Sequence, residues 1–233
     1  MHRFYPDLAA PLVPGPLLIS GDEAHHAVRV KRVAVGEAVQ VLNGLGGVAS
    51  ARVTSIEKAG RSGWRLALAV DSVDRVEPIR PRVTVASAMP KGHRLADLID
   101  GLAQVGAAAW RPLFTERGER QRCPVDRLER IAREASKQSG RAWTLRVEPE
   151  VGFDDALREP GTILADASGA AASVPMHAEA VLVLIGPEGG WTPREMDTAL
   201  AAGVRVARFG PHTMRIETAA VAACAIVLDA AAR

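Results

Sequence analysis

From residue 83 onward the chain alternates apolar runs of strand length with amphipathic runs of helix length, and this alternation limits its fold more than any other feature. VTVASAM leads to HRLADLIDGLAQVG and AWRPLFT to VDRLERIAREASKQSG. TLRVE, TILAD, VLVLI and VRVARF extend the series, separated by helical stretches, and an alanine-rich helix runs from about residue 218. Strands joined through helices cannot pair as tight hairpins, so the pattern predicts an α/β domain with a mainly parallel sheet covered on both faces.

The N-terminal third reads differently. Residues 37–42 (EAVQVL), 48–56 (VASARVTSI) and 64–70 (WRLALAV) are short strand candidates, NGLGG at 43–47 is the turn between the first two, and DEAHHAVRV is a short helix before them. VEPIRPR at 76–82 marks a linker, because each proline pushes the residue before it out of helical geometry. Two domains are expected, a small mainly β module over 1–75 and the α/β domain over 80–233.

The formal net charge is only +2, and its distribution is uneven. Residues 1–79 carry 9 Lys/Arg against 8 Asp/Glu, residues 80–148 carry 14 against 8, and residues 149–233 carry 6 against 11. A basic middle beside an acidic final third suggests a surface for a polyanion and a separate site with other work. Aromatic residues make up 4% of the chain, which argues against a broad stacking platform for single strands. Cys123 and Cys224 stand far apart without Cys/His spacing, so no disulfide framework and no metal site is expected, and a reduced, cytoplasmic setting fits. The N-terminus has no export signal, and the longest apolar run, Ala219–Leu228, is too short to cross a bilayer.

Two bends carry the chemistry. VLVLI runs into IGPEGGWTPRE, and VRVARF runs into FGPHTMRIETAA. Ligands in open α/β sheets sit beyond the carboxyl ends of the strands, where both bends fall. The first bend lacks the lysine of a phosphate loop and the spacing of a dinucleotide fingerprint. Glu188 would repel a phosphate, so a neutral or cationic ligand is expected. Thr192-Pro193-Arg194-Glu195 is a capping box with proline at the first helical position, a structural feature.

Both bends, with RFYPD near the start, HHAVRVKR at 25–32, PLFTER at 112–117 and EASKQSGR at 134–141, resemble the bacterial 16S ribosomal RNA (uracil-N3) methyltransferases of the SPOUT superfamily. The resemblance covers almost the whole chain. It implies a PUA-like β-barrel domain for RNA, followed by an α/β domain with a trefoil knot that holds S-adenosylmethionine and pairs two subunits. The final helix, TAAVAACAIVLDAAA, is apolar on nearly all sides, which suits either a dimer contact or full burial.

For the cofactor the resemblance points to Ile185, Gly186, Glu188, Gly189, Gly190, Phe209, Gly210, Met214 and Ile216. Arg215 and Glu217 of the RxET motif are the catalytic candidates. A fixed guanidinium suits the anion left when uracil loses its ring proton, while a salt bridge from Arg215 to Glu217 is the bland alternative. Arg3, Arg29, Arg32, Lys91, Arg94, Arg117, Arg120, Lys137 and Arg141 are candidates for phosphate contact, with Gln138 marked by the QSGR segment, and His25 and His26 could stack on RNA. Gly101, Gln104 and His212 depart from the family pattern by removing charge. Other readings are a SPOUT enzyme acting on a ribose oxygen or a transfer RNA, and a non-catalytic RNA-binding assembly factor.

Overall fold

The computed structural model describes residues 1–6, 11–60, 63–172 and 178–232, apart from the side chain of residue 232. Asp7 of the RFYPD motif lies outside them. The chain divides into two compact units, one of Met1–Pro78 with Ser136–Thr144 and one of Ile79–Ala135 with Leu145–Arg233.

In the first unit β1 (His2–Phe4), β2 (Gly15–Ile19), α1 (Gly21–Arg29), β3 (Ala38–Leu42), β4 (Gly47–Ala59) and β5 (Gly63–Arg75) form a mixed five-stranded sheet and one helix. The strand order is β1-β3-β4-β5-β2. Only β1 and β3 run parallel. No pairing joins β1 to β2 among the described residues, so the ladder is open there. The alternation of β3 to β5 was legible, but β4 and β5 run further than expected because their outer halves pair only with each other. Phe4, Val41, Val53, Leu66 and Leu68 fill the core.

Residues 136–144 count with this unit, which nothing in their sequence announces. The Tyr5 hydroxyl donates to the Arg141 carbonyl at 3.0 Å and shares a 3.0 Å hydrogen bond with Thr144 Oγ1. Lys137 Nζ donates to Glu23 Oε2 at 2.6 Å, and the other oxygen of Glu23 accepts the Tyr5 amide at 3.0 Å.

The second unit contains β6 (Arg82–Ser87), α2 (Arg94–Val105), β7 (Ala109–Phe114), the greater part of α3 (Val125–Ser139), β8 (Arg146–Val147), β9 (Val151–Gly152), α4 (Phe153–Leu157), β10 (Thr162–Ala171), β11 (Ala180–Ile185), α5 (Pro193–Ala201), β12 (Arg205–Arg208) and α6 (Ile216–Ala232). Every pairing in its sheet is parallel, in the order β12-β10-β11-β6-β7-β8, with β9 also on β7. The predicted α/β architecture is therefore present. Leu95, Leu98, Ile99 and Leu102 recur at helical spacing along α2 and are all buried. Gly106 ends α2 in the left-handed region, at φ 110°.

Strand β10 shifts register against β12 between Ala165 and Ala170. Within the shift, a Cβ at Gly169 would lie 2.7 Å from the Val206 and Ala207 backbone, so the two strands meet where only glycine fits.

Helix α6 buries Ala220, Ala223, Cys224 and Val227, again at helical spacing, and leaves Ala225, Ile226 and Asp229 exposed. Its partner is α2. Gly101 lies at their contact, where a Cβ would meet Val221 Cγ2 at 2.7 Å. The missing side chain at 101 thus has a packing reason, since a β-branched neighbour has few rotamers into which to retreat. We expect Gly101→Leu to destabilise the protein by about 1–3 kcal/mol in urea unfolding, because the pair is already in contact. Adding Val221→Ala should recover part of that loss. Purely additive effects would show that the two helices do not meet at this point.

Candidate functional site

Both glycine bends leave the carboxyl ends of strands in the second unit. Strand β11 delivers Ile185 into Gly186–Gly190, and β12 delivers Phe209 into Gly210–Arg215. They wall one cavity of about 430 Å³, and the middle of β10 adds Ala165, Asp166 and Ala167 to its lining.

The first bend is held at several points. Gly190 donates to the Pro187 carbonyl at 2.9 Å and takes φ 67°, a conformation that favours glycine. Trp191 is buried, with its indole nitrogen donating to the Ala165 carbonyl at 3.0 Å. A Cβ at Gly186 would press on the Trp191 ring at 3.0 Å. Arg117 Nη1 donates to the carbonyls of Gly189 at 2.6 Å and Trp191 at 3.3 Å.

The capping box on α5 is present. Thr192 Oγ1 accepts the Glu195 amide at 3.1 Å, and Glu195 Oε2 accepts the Thr192 amide at 2.8 Å. The sequence did not show that Glu195 Oε1 also accepts the amide of Glu116 at 2.8 Å. One buried carboxylate therefore joins the end of β7 to the start of α5.

Eight of the nine expected cofactor residues line the cavity: Ile185, Gly186, Glu188, Gly190, Phe209, Gly210, Met214 and Ile216. Gly189 does not line it, and its carbonyl carries Arg117 instead. Asp166, Trp191, Arg208 and His212 line it as well. Asp166 could have been found from sequence, since it ends the TILAD strand in an open α/β sheet. Its Oδ1 accepts from the amide and the hydroxyl of Ser168, at 2.9 and 2.6 Å.

Arg215 precedes α6, is exposed and makes no side-chain hydrogen bond or ion pair among the described residues. The alternative of a bridge to Glu217 is therefore not what the structure shows. Glu217 Oε2 is buried without a hydrogen-bond partner among the described residues.

The basic candidates divide. Arg94 approaches Glu188 at 3.8 Å. Lys91 pairs with Glu119 at 2.5 Å, and the hydrogen bond and charge of Glu119 raise the ammonium above its ordinary value, with Glu188 adding to this, so Lys91 stays charged at neutral pH. Arg120 lies over the Phe114 ring, 4.2 Å from its centre. In the first unit, Arg29, Arg32 and Gln138 are exposed, while Arg3 Nε donates to Gln40 at 3.3 Å. Lys137 is held in its pair with Glu23, the two side chains only 11% and 13% exposed, so it has little surface to offer. Arg141 is half-buried, His25 is exposed and His26 half-buried. Gln104 bonds Asp100 at 2.6 Å. Burial, and then the charge of Glu150, push the Cys123 thiol up, which leaves it protonated and a poor nucleophile. No cluster of potential metal ligands occurs among the described residues.

Residues 77–228 match the family model of an RNA methyltransferase domain, and residues 19–59 match that of an RNA methyltransferase PUA domain. Ribosomal RNA small subunit methyltransferase E of Mycobacterium bovis is 31% identical over 230 residues, covering 90% of this chain and 85% of that one. This chain belongs to that methyltransferase family. The enzyme of the same name from Synechocystis is 27% identical, over 92% of this chain and 73% of the relative. The solved ribosomal RNA small subunit methyltransferase E of Neisseria gonorrhoeae, bound to S-adenosyl methionine, is 27% identical with a TM-score of 0.82 over 98% of this chain and 97% of that one. Membership in the family makes the first unit its PUA-like module and the second its SPOUT methyltransferase domain. No helix among the described residues is long and apolar enough to cross a membrane.

Glu195 offers the simplest test of how the site is built. Glu195→Ala leaves the amides of Glu116 and Thr192 without acceptors, and we expect it to cost about 2–3 kcal/mol in urea unfolding. A variant as stable as the parent would show that this carboxylate joins nothing of consequence.

Proposed function

We propose that the protein transfers a methyl group from S-adenosylmethionine to N3 of a uridine in 16S ribosomal RNA, acting in the cytoplasm as a homodimer. The observation that carries this reading is the convergence of the two bends on one cavity, with Arg215, between the lining residues Met214 and Ile216, unpaired among the described residues.

The residues present fit the donor. Gly190 lines the cavity, and a Cβ there would meet nothing within 4 Å, so backbone can approach a ligand closely at that point. The carboxylates of Asp166 and Glu188 lie in the wall, which suits a ligand bearing an ammonium and a sulfonium and disfavours a phosphate. When bound, the donor supplies an electrophilic methyl group. The chain has then to align the acceptor and stabilise it. Arg215, always charged and with forked donors, holds the base as its N3 proton is lost and charge spreads over the flanking carbonyl oxygens. Glu217 Oε2, which has acceptor capacity to spare, is assigned to orient or receive a proton.

The first unit carries exposed Arg29 and Arg32, suited to phosphate contact that gives affinity without sequence choice. For the dimer, the support is the exposed apolar side of α6 at Ala225 and Ile226. The order β12-β10-β11 agrees with a knotted chain, in which the second bend and α6 would follow a threaded segment.

Calorimetry with S-adenosylmethionine and mass spectrometry of methylated small-subunit RNA test the proposal together. We expect donor binding, a methyl on uracil N3, and a fall in kcat of about 10²–10³ for Arg215→Ala with donor affinity unchanged. A methyl on a ribose oxygen would replace the substrate, and a protein that binds RNA but no donor would be an assembly factor. Sedimentation should find two copies per particle, shifting toward one in Ile226→Asp. A monomeric parent protein would remove the dimer.

A further inference from the structure

A second cavity, of about 380 Å³, opens in the methyltransferase domain at the carboxyl ends of β7 and β9, neighbouring parallel strands. It shares no lining residue with the cavity between the bends. The bend after β11 lines one through Gly186, Gly190 and Trp191, and the helix it leads into, α5, lines the other through Arg194, Glu195 and Thr198.

Its lining has the character of a base-reading site. Arg120 sets its guanidinium over the Phe114 ring, with Cζ 4.2 Å from the ring centre, and this cation–π contact holds the cation at the wall. Bases splayed out of single-stranded RNA stack on such arginine planes. Asp154 lines the same cavity, is exposed and has no ion pair or hydrogen bond among the described residues. Its carboxylate accepts only, so it selects a base that presents N–H donors. Asp155 is paired with Arg158 at 2.6 Å, Glu116 with Arg194 at 3.2 Å, and the Glu195 oxygens are taken by backbone amides, which leaves Asp154 as the lining carboxylate with both oxygens open among the described residues. At the rim Arg194 holds Glu116 at 3.2 Å with its side chain 83% exposed, a pair weak enough for a phosphate to displace.

We infer that this cavity seats a second nucleotide of the RNA substrate, one whose base carries an exocyclic amino group, with the base on the Arg120 guanidinium, the amino group on Asp154 and the phosphate on Arg194. The choice of ligand class rests on the RNA methyltransferase reading. Uracil offers only its ring N–H and no amino donor, so it fits less well, and the same chain would favour in this cavity a base type other than the one it methylates beside the other. Because α5, which lines this cavity, follows directly on the glycine bend of the other, a base seated here steadies that bend from outside.

The test uses the full chain and nucleoside monophosphates, so that it reads out without methyl transfer. Chemical shifts of the Glu116 and Thr198 amides are followed as CMP, GMP or UMP is added. We expect CMP or GMP to move both amides at concentrations about tenfold below those at which UMP does, and Asp154→Asn to abolish the difference. Arg120→Ala should weaken all three nucleotides alike. With small-subunit RNA as substrate, Asp154→Asn should raise KM about tenfold and leave kcat and donor affinity unchanged. Equal response to UMP, no response at either amide, or an undiminished preference in Asp154→Asn each overturns the inference. Failure of donor binding in calorimetry would instead strike the methyltransferase reading and leave the nucleotide titration standing on its own.

Discussion

The carboxylate of Glu195 is the contact on which the architecture of the second unit converges. It starts α5 through the capping box and, with its other oxygen, accepts the first amide after the buried Thr115 at the end of β7. A buried anion is costly unless its lone pairs are filled, and here three hydrogen bonds tie it and its capping partner to backbone. Two neighbouring groups follow from that placement. Arg117 comes within reach of the Gly189 and Trp191 carbonyls, and Arg194 within reach of Glu116. The glycine bend, which has few side chains of its own to pack, is thus shaped by a segment more than seventy residues earlier in the chain.

Much of this was legible in the sequence, and the limits have physical causes. Alternation between strand and helix periods identified the parallel sheet, because burial on both faces leaves continuous apolar runs such as VLVLI. Strands β1 and β9 were not marked, since two or three residues are too few to show a period. The extra length of β10 was hidden by small residues after Asp166, where SGAA carries no hydrophobic signal. Residues 136–144 read as the end of a helix and a loop. Their place in the first unit depends on the hydroxyl of Tyr5 and the buried pair of Lys137 with Glu23, which are contacts across more than a hundred residues.

The site shows the same division. Glycine and proline at the ends of apolar strands located the bends, and eight of the nine residues expected to line the site do so. The arginines were less readable. Arg117, Arg120 and Lys137 share a residue class with Arg29 and Arg32, yet the first three are engaged with a carbonyl pair, a ring and a buried carboxylate, while the last two are exposed. Sequence shows the charge and does not show what it faces. Arg215 was distinguished by motif, and its lack of a partner is a property of the folded chain.

The close approach at Gly169 bears on the site from behind. Strand β12 lies against β10 at a separation that only a hydrogen side chain permits, and β12 leads directly into Phe209 and the second bend. The path of β12 toward the second bend is therefore gauged by a spacer of zero thickness between two strands. A side chain at 169 would have to push aside the strand that carries part of the cavity's wall.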